Sequence, residues 1–260
     1  MAKEFRSFRV DSIILKHQDY GEADRLVTIF TRQKGKLKTI AKGVRKVRSQ
    51  KGGHLEPFTH ASLLLATGRT WYIVSQAEAK DIYPHLTKDL EVLGYASYLV
   101  ELVDRFTFEE EENPPIFNLL RNSLSRLDAG EYPAPLVVRY FEIRLLDLLG
   151  FRPELKNCVV TGEEIQPENQ YFSAALGGIV SPQASKNLTG MVPVSMSALK
   201  YLRHFQRSSF DEAAVAKPTD QVFQELEILM QYYLTYILER GLNTPGFLRK
   251  IRRDAGKKMD

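Results

Sequence analysis

The order of apolar and polar positions changes character about a third of the way along the chain. Up to residue 80 the segments FRVDSIILKH, RLVTIFTR, GKLKTIAKGV, FTHASLLLA and TWYIVSQAEA are short and rich in β-branched or aromatic residues. Gly21, Gly35, Gly52–Gly53, Pro57 and Gly68 separate them. Runs of this kind between Gly and Pro punctuation predict strands. Five in this length suit a small barrel of the OB type, with an SH3-like barrel as the alternative, since both use five short strands. Phe30 alternates with apolar neighbours and reads as core.

From Asp81 the apolar spacing lengthens to threes and fours. LEVLGYASYLVELVDRF carries Leu90, Leu93, Tyr98, Leu99, Leu102 and Phe106, the stripe of a helix. IFNLLRNSLSRL predicts a second helix stopping near Gly130, and PLVVRYFEIRLLDLLG a third with Gly150 in the C-cap position. Between the first two, Glu109–Glu112 followed by Asn113-Pro114-Pro115 reads as an exposed acidic loop. Consecutive glutamates cannot all face one ion, so no metal site is expected there. Residues 151–192 break the helical pattern with Gly, Pro, Asn and Ser and short β-like pieces around YFSAALGGIV. Helices resume in SMSALKYLRHF, with Ser195 as N-cap, and in DQVFQELEILMQYYLTYILERG, closing at Gly241. The basic tail FLRKIRRDAGKKMD is expected to fray beyond its first turns. The fold class is therefore α+β and multidomain: an OB-like barrel over 1–80, then an α-helical domain over 81–260.

The chain has 260 residues and 43% hydrophobic content, enough for one or two packed cores. No apolar run approaches the ~18 to 20 residues of a membrane helix. The stretch MAKEFRSFRV lacks a secretory core, and the one cysteine, Cys158, excludes an internal disulfide, so cytoplasmic residence is expected. The net charge of +4 is mild, but its distribution is not. Residues 1–80 carry 16 Lys/Arg against 7 Asp/Glu; the remainder carries 20 against 25. A basic front half beside an acidic remainder suggests that the front meets a polyanion.

That charge concentrates in RQKGKLKTIAKGVRKVRSQK, where Arg32, Lys34, Lys36, Lys38, Lys42, Arg45, Lys46, Arg48 and Lys51 occur with no acidic residue. Lys36, Lys38 and Lys42 share one parity, so a strand would point them to one face. GVRKVRSQKGG reads as a flexible basic loop. Several cations along a surface, each displacing a counterion, are what phosphate neutralisation needs. Phe58, Trp71 and Tyr72 are candidate stacking platforms for single-stranded bases, though for Trp71 or Tyr72 alone a structural role fits better. Trp71 and Tyr72 are adjacent, so at most one lines a given surface.

Constellations for catalysis are absent from the sequence. There is no phosphate-binding loop, no G-x-G-x-x-G, no H-E-x-x-H and no G-x-S-x-G. His17, His54, His60, His85 and His204 show no ligand spacing. A zinc ribbon would need two close pairs of soft ligands, and those places hold Cys158, Thr161, Ser181 and Ala184. One good ligand in four predicts no metal and no other cofactor; Cys158 reads as a small buried hydrophobe.

DYGEADRLVTIFTRQKGKLKTIAKGVRK resembles the signature of the RecO family of bacterial recombination mediators. LEPFTHASLLL continues the likeness, and LLDLLGFRPELKNCVVTG resembles the entry to that family's zinc region. The resemblance implies an OB-fold followed by an α-helical domain with a zinc-ribbon-like insertion, here degenerate, over 151–192. It implies a non-enzymatic, nucleoid-associated protein that binds single- and double-stranded DNA and anneals complementary strands. It also implies RecR as partner, and a part in helping RecA replace the single-strand-binding protein SSB. A metal-dependent nuclease with an OB-like domain is the competing reading. The acidic, apolar-ended SSB tail would want an apolar groove with cations at its mouth. Leu199, Leu202 and Phe205 beside Lys200, Arg203 and Arg207 offer that mixture, unless the apolar three simply pack the helical core.

Overall fold

The computed structural model describes residues 7–256. Its first five strands are β1 (Ser7–Tyr20), β2 (Asp24–Thr31), β3 (Gly35–Ala41), β4 (His60–Ala66) and β5 (Tyr72–Asp81). They close in the order β1-β2-β3-β5-β4. The 14-residue β1 makes closure possible, because its C-terminal half pairs with β2 and its N-terminal half with β4. A bulge between Ile14 and Lys16 lets the strand bend from one partner to the other. β3 and β5 pair in parallel, Thr39 opposite Tyr72 and Ile40 opposite Ile73. That pairing decides between the two expected barrels: it gives the OB arrangement, whereas an SH3-like meander would be antiparallel throughout.

Alternation along the strands fills the barrel. Val10, Ile14, Val27, Ile29, Leu37, Ala41, Leu63, Leu65 and Val74 point inward and are almost fully buried. Polar clamps tie the strands at the rim. The buried His60 ring sits between Asp11 (2.9 Å) and Asp81 (2.7 Å), joining β4 to β1 and β5, and Lys80 reaches Asp11 at 2.6 Å. Elsewhere Glu56 receives Arg25 at 2.8 Å and His17 at 3.1 Å.

Two helices follow, α1 (Leu90–Phe106) and α2 (Pro114–Ala129). Asp89 caps the first by accepting from the backbone N–H groups of Glu91 and Val92. The first compact unit runs through Ala129, so both helices share it with the barrel. Phe30, fully buried as expected for core, does not point into the barrel; it faces outward against Phe117 of α2, with ring centroids 6.4 Å apart.

The second unit begins at Gly130. It holds α3 (Ala134–Leu148), strands β6 (Gln170–Ser173), β7 (Gly178–Val180) and β8 (Val192–Val194), then α4 (Met196–Arg207), α5 (Phe210–Ala214), α6 (Asp220–Leu238) and α7 (Thr244–Gly256). Gly150 stands just past the end of α3 at φ +80°, the left-handed value that favours glycine. Ser195 caps α4 through the N–H of Ala198. The short α5 was not anticipated; a capping box between Ser209 and Glu212 starts it. α6 closes at Glu239, left-handed at φ +52°, two residues before the expected Gly241. The basic tail is helical to Gly256, and the part of its expected fraying that falls on 257–260 lies outside the described residues. Among the described residues no helix is long and apolar enough to cross a membrane.

Candidate nucleic-acid interface

The outward face of β1, β2 and β3 has two halves. At one end Phe30 and Lys36 lie beneath α1 and α2. At the other an open groove of about 370 Å³ is lined by Lys16, Gln18, Leu26, Thr28, Lys38 and Trp71. Parity explains the composition: with Val27, Ile29, Leu37 and Ala41 inward, Leu26, Thr28 and Lys38 must face out. Trp71 comes from the turn between β4 and β5 and stands edge-on to Tyr20 at 5.6 Å, and Tyr20 is 46% exposed. The groove thus combines Leu26, two lysines and Trp71, with Tyr20 packed against the Trp71 ring beside it. Strands 2–3 and the adjoining turns of an OB barrel are where oligonucleotides bind, with bases stacked on aromatic faces and phosphates met by cations.

The nine cations expected from the sequence divide into engaged and exposed groups. Lys36 is only 13% exposed; its ammonium donates to the Asp104 carbonyl at 2.5 Å and pairs with the Asp104 carboxylate at 3.4 Å. Lys38 points into the groove but is held by Glu109 at 2.5 Å. Lys42 lies beyond the end of β3, in a turn, so it does not continue the face of Lys36 and Lys38 as strand parity suggested. Lys51 is a strut: its ammonium donates to the carbonyls of Lys42 and Val74, and burial lowers its pKa. Arg45 reaches Asp19 at 3.3 Å. Lys34 lies over the Phe8 ring, 5.2 Å from its centroid. Arg32, Lys42, Lys46 and Arg48 are exposed, and among the described residues no carboxylate lies within ion-pair distance of them.

The segment expected as a flexible basic loop is anchored instead. Asp24 accepts from the N–H of Gly43 at 2.7 Å, the N–H of Arg45 donates to Ala23, and Val44 and Leu55 are buried. Turns within the segment leave Lys46, Val47 and Arg48 outward, with Val47 wholly exposed. Asp19, which holds Arg45, and Tyr20 beside the groove are neighbours in β1, so the cationic loop flanks the groove. Lys16, Gln18, Tyr20 and Thr28 were not singled out from the sequence. Only their place on a shared outer face marks them, and the β1 bulge hides that parity.

In the second unit, Leu199, Leu202 and Phe205 are at most 3% exposed. They pack the core and form no open apolar groove, the structural alternative to the expected partner site. Lys200 is exposed. Arg203 and Arg207 line a separate cavity of about 490 Å³ with Arg152, Lys156 and the carboxylates Glu154 and Glu164. Arg203 also donates to the Leu155 carbonyl at 2.7 Å.

Cys158 is 2% exposed, and its sulfur accepts the N–H of Ser181 at 3.4 Å. Burial alone would raise its pKa, but hydrogen bonds from the Ser181 and Thr161 backbone and the Thr161 hydroxyl bring it to about 6. Thr161, Ser181 and Ala184 supply no soft ligand, so the four positions do not fit tetrahedral zinc. Among the described residues no three His, Cys, Asp or Glu side chains gather as a metal site.

Comparison with known proteins agrees with this architecture. The family description "Recombination protein O N terminal" matches residues 5–83, and "Recombination protein O C terminal" matches 87–245. The DNA repair protein RecO of Roseiflexus sp. (strain RS-1) is 38% identical over 248 residues, covering 95% of this chain and 87% of that protein. The DNA repair protein RecO of Dehalococcoides mccartyi (strain ATCC BAA-2266 / KCTC 15142 / 195) is 33% identical over 233 residues, 90% of this chain and 91% of the relative. That of Desulforamulus reducens (strain ATCC BAA-1160 / DSM 100696 / MI-1) is 32% identical, covering 94% of each. The chain belongs to the RecO family of DNA repair proteins.

Proposed function

We propose that this chain is a non-enzymatic recombination mediator that holds single-stranded DNA in the barrel groove and both single- and double-stranded DNA on the flanking cationic loop. The supporting observation is the groove with Trp71, Tyr20 and Lys38, set beside exposed Lys42, Lys46 and Arg48. Stacking faces and backbone cations carry little base-edge information, so binding is indifferent to sequence. Two strands held by their backbones keep their bases free to pair, which is the chemistry of annealing. In this reading the protein acts with RecR and without ATP, and helps RecA replace SSB on single strands in the cytoplasm, at the nucleoid. The acidic SSB tail would meet the second unit at the cavity of Arg152, Arg203 and Arg207, where cations outnumber the carboxylates of Glu154 and Glu164.

The test is annealing of SSB-coated complementary strands with and without the protein, in EDTA. Acceleration that survives chelation is expected. Strand cleavage that requires a divalent metal would overturn the reading in favour of a nuclease.

A further inference from the structure

Every lysine on the outer face of β1 and β3 is held by a carboxylate from α1 or the turn after it. Asp104 takes Lys16 at 2.6 Å and Lys36 at 3.4 Å. Glu109 takes Lys38, the groove lysine of β3, at 2.5 Å. The segment Glu109–Glu112 is not the free acidic loop that its composition suggested. It is laid along the open edge of β3 like an added strand: Glu109 bridges Lys36 in parallel, and the N–H of Glu110 donates to the Lys36 carbonyl at 2.9 Å. The carboxylate of Glu110 accepts the Tyr72 hydroxyl at 2.9 Å, a bond that raises the tyrosine's pKa. Gly35 admits this approach, since a Cβ there would sit 1.8 Å from the Glu111 carbonyl oxygen.

Capping an exposed strand edge explains the backbone contacts. It does not call for the Glu109 carboxylate to settle on Lys38, a lysine of the groove, or for that of Glu110 to take the Tyr72 hydroxyl. We propose that Glu109, with Glu110 beside it, is a built-in competitor for nucleic acid: Glu109 occupies the position of a phosphate on Lys38, and a bound strand must displace it. The inference rests on the groove as the site of single-strand binding. Its effect is a weaker, faster-releasing grip, as annealing requires once two strands have paired. Because only side-chain carboxylates contest the lysine, the backbone bridge stays in place when they are displaced.

The test uses the full chain, a short fluorescent oligothymidylate and a salt series, comparing the native protein with Glu109→Gln/Glu110→Gln. These replacements keep shape and backbone contacts. Affinity should rise about three- to fivefold, as expected for removal of exposed ion-pair competition. The log–log salt slope should steepen by about 0.7, one additional phosphate contact. Lys38→Met in the double variant should erase the gain. Glu111→Gln/Glu112→Gln is the control for net charge, and an equal gain there would overturn the proposal. So would unchanged affinity and slope in Glu109→Gln/Glu110→Gln while Trp71→Ala still weakens binding; that result would leave the groove reading intact. If Trp71→Ala also changes nothing, the groove is not the site, and the proposal falls with it.

Discussion

The outer wall of the barrel and the loop between β3 and β4 both carry cations, three lysines on the wall and five Lys or Arg in the loop, but hold them differently. On the wall, Lys16, Lys36 and Lys38 all have carboxylate partners within 3.4 Å. In the loop, Lys42, Lys46 and Arg48 project from anchored turns toward solvent, with no such partner among the described residues. A cation already matched by a carboxylate gains little by exchanging it for a phosphate. An unmatched one releases a counterion for each phosphate it meets. The loop should therefore supply most of the salt-dependent affinity, and the wall its stacking.

The strongest way to break this comparison is to remove the loop charges. Lys42→Ala/Lys46→Ala/Arg48→Ala should lower the log–log salt slope for single strands by about 2, at about 0.7 per lost contact. Near physiological salt the affinity should fall by roughly a hundredfold, at the upper end of what three such contacts supply. A slope within 0.5 of the native one, on the order of less than a single contact, would move the phosphate site elsewhere. Next in size is Trp71→Ala, which should cost about 1 to 3 kcal/mol of single-strand binding while leaving the salt slope nearly unchanged, because stacking releases no ions. Fluorescence titration at two salt concentrations separates these outcomes.

A third variant sharpens the division. Lys51→Met removes a cation that the sequence places in the same run, yet its ammonium ties the loop to the Lys42 and Val74 carbonyls. DNA affinity should change less than about twofold, while stability falls by about 1 to 2 kcal/mol from the carbonyls left without a donor. Urea melts alongside binding curves decide it; a large affinity loss at unchanged stability would place Lys51 among the DNA contacts.

The smallest effect concerns acid. Residues 42–51 contain no acidic group, so loss of stability at low pH must arise elsewhere. Burial alone would raise the pKa of Asp11, but the hydrogen bond from Lys80 and the charge and hydrogen bond of His60 hold it below its ordinary value. For Glu56, burial is likewise outweighed by hydrogen bonds from His17 and Arg25. A carboxylate depressed in the folded state is protonated first in the unfolded chain. Its stabilisation is complete above the ordinary pKa and disappears as pH falls through the folded one. The urea midpoint should drop progressively from about pH 5 downward, and Asp11→Asn should flatten part of that decline. A midpoint insensitive to acid would refute the clamp.

Much of this arrangement was legible from residue order, for reasons that also mark where legibility ends. Strand and helix positions follow from alternation and from threes and fours, so all five barrel strands and the main helices could be read. The apolar stripe of Leu199, Leu202 and Phe205 was equally plain, but periodicity reports only that a face avoids water. It does not say whether the chain itself or a partner covers that face. Lys36 and Lys51 show the same limit for charge: a run of cations is visible in sequence, whereas the carbonyls and carboxylates that engage them come from elsewhere in the fold. The docking of Glu109–Glu112 depends on β3 meeting β5 over only two residues, which leaves an edge to cover. No local pattern signals that. α5 was missed because a five-residue helix owes more to its capping box than to any period.

The division of β1 between two partners has a kinetic consequence. Its N-terminal half cannot find its place until β4 exists, since Ser7 lies opposite Ala66 and Ile13 opposite His60. The parallel contact of β3 with β5 waits longer still, for Tyr72 and Ile73. Both closures join distant parts of the chain, and such contacts form slowly because loop entropy is spent before they form. During synthesis the hairpin of β1, β2 and β3 would therefore persist as an open sheet with Val10, Ile14, Val27 and Ile29 uncovered, until β5 has left the ribosome and the barrel can shut in one step.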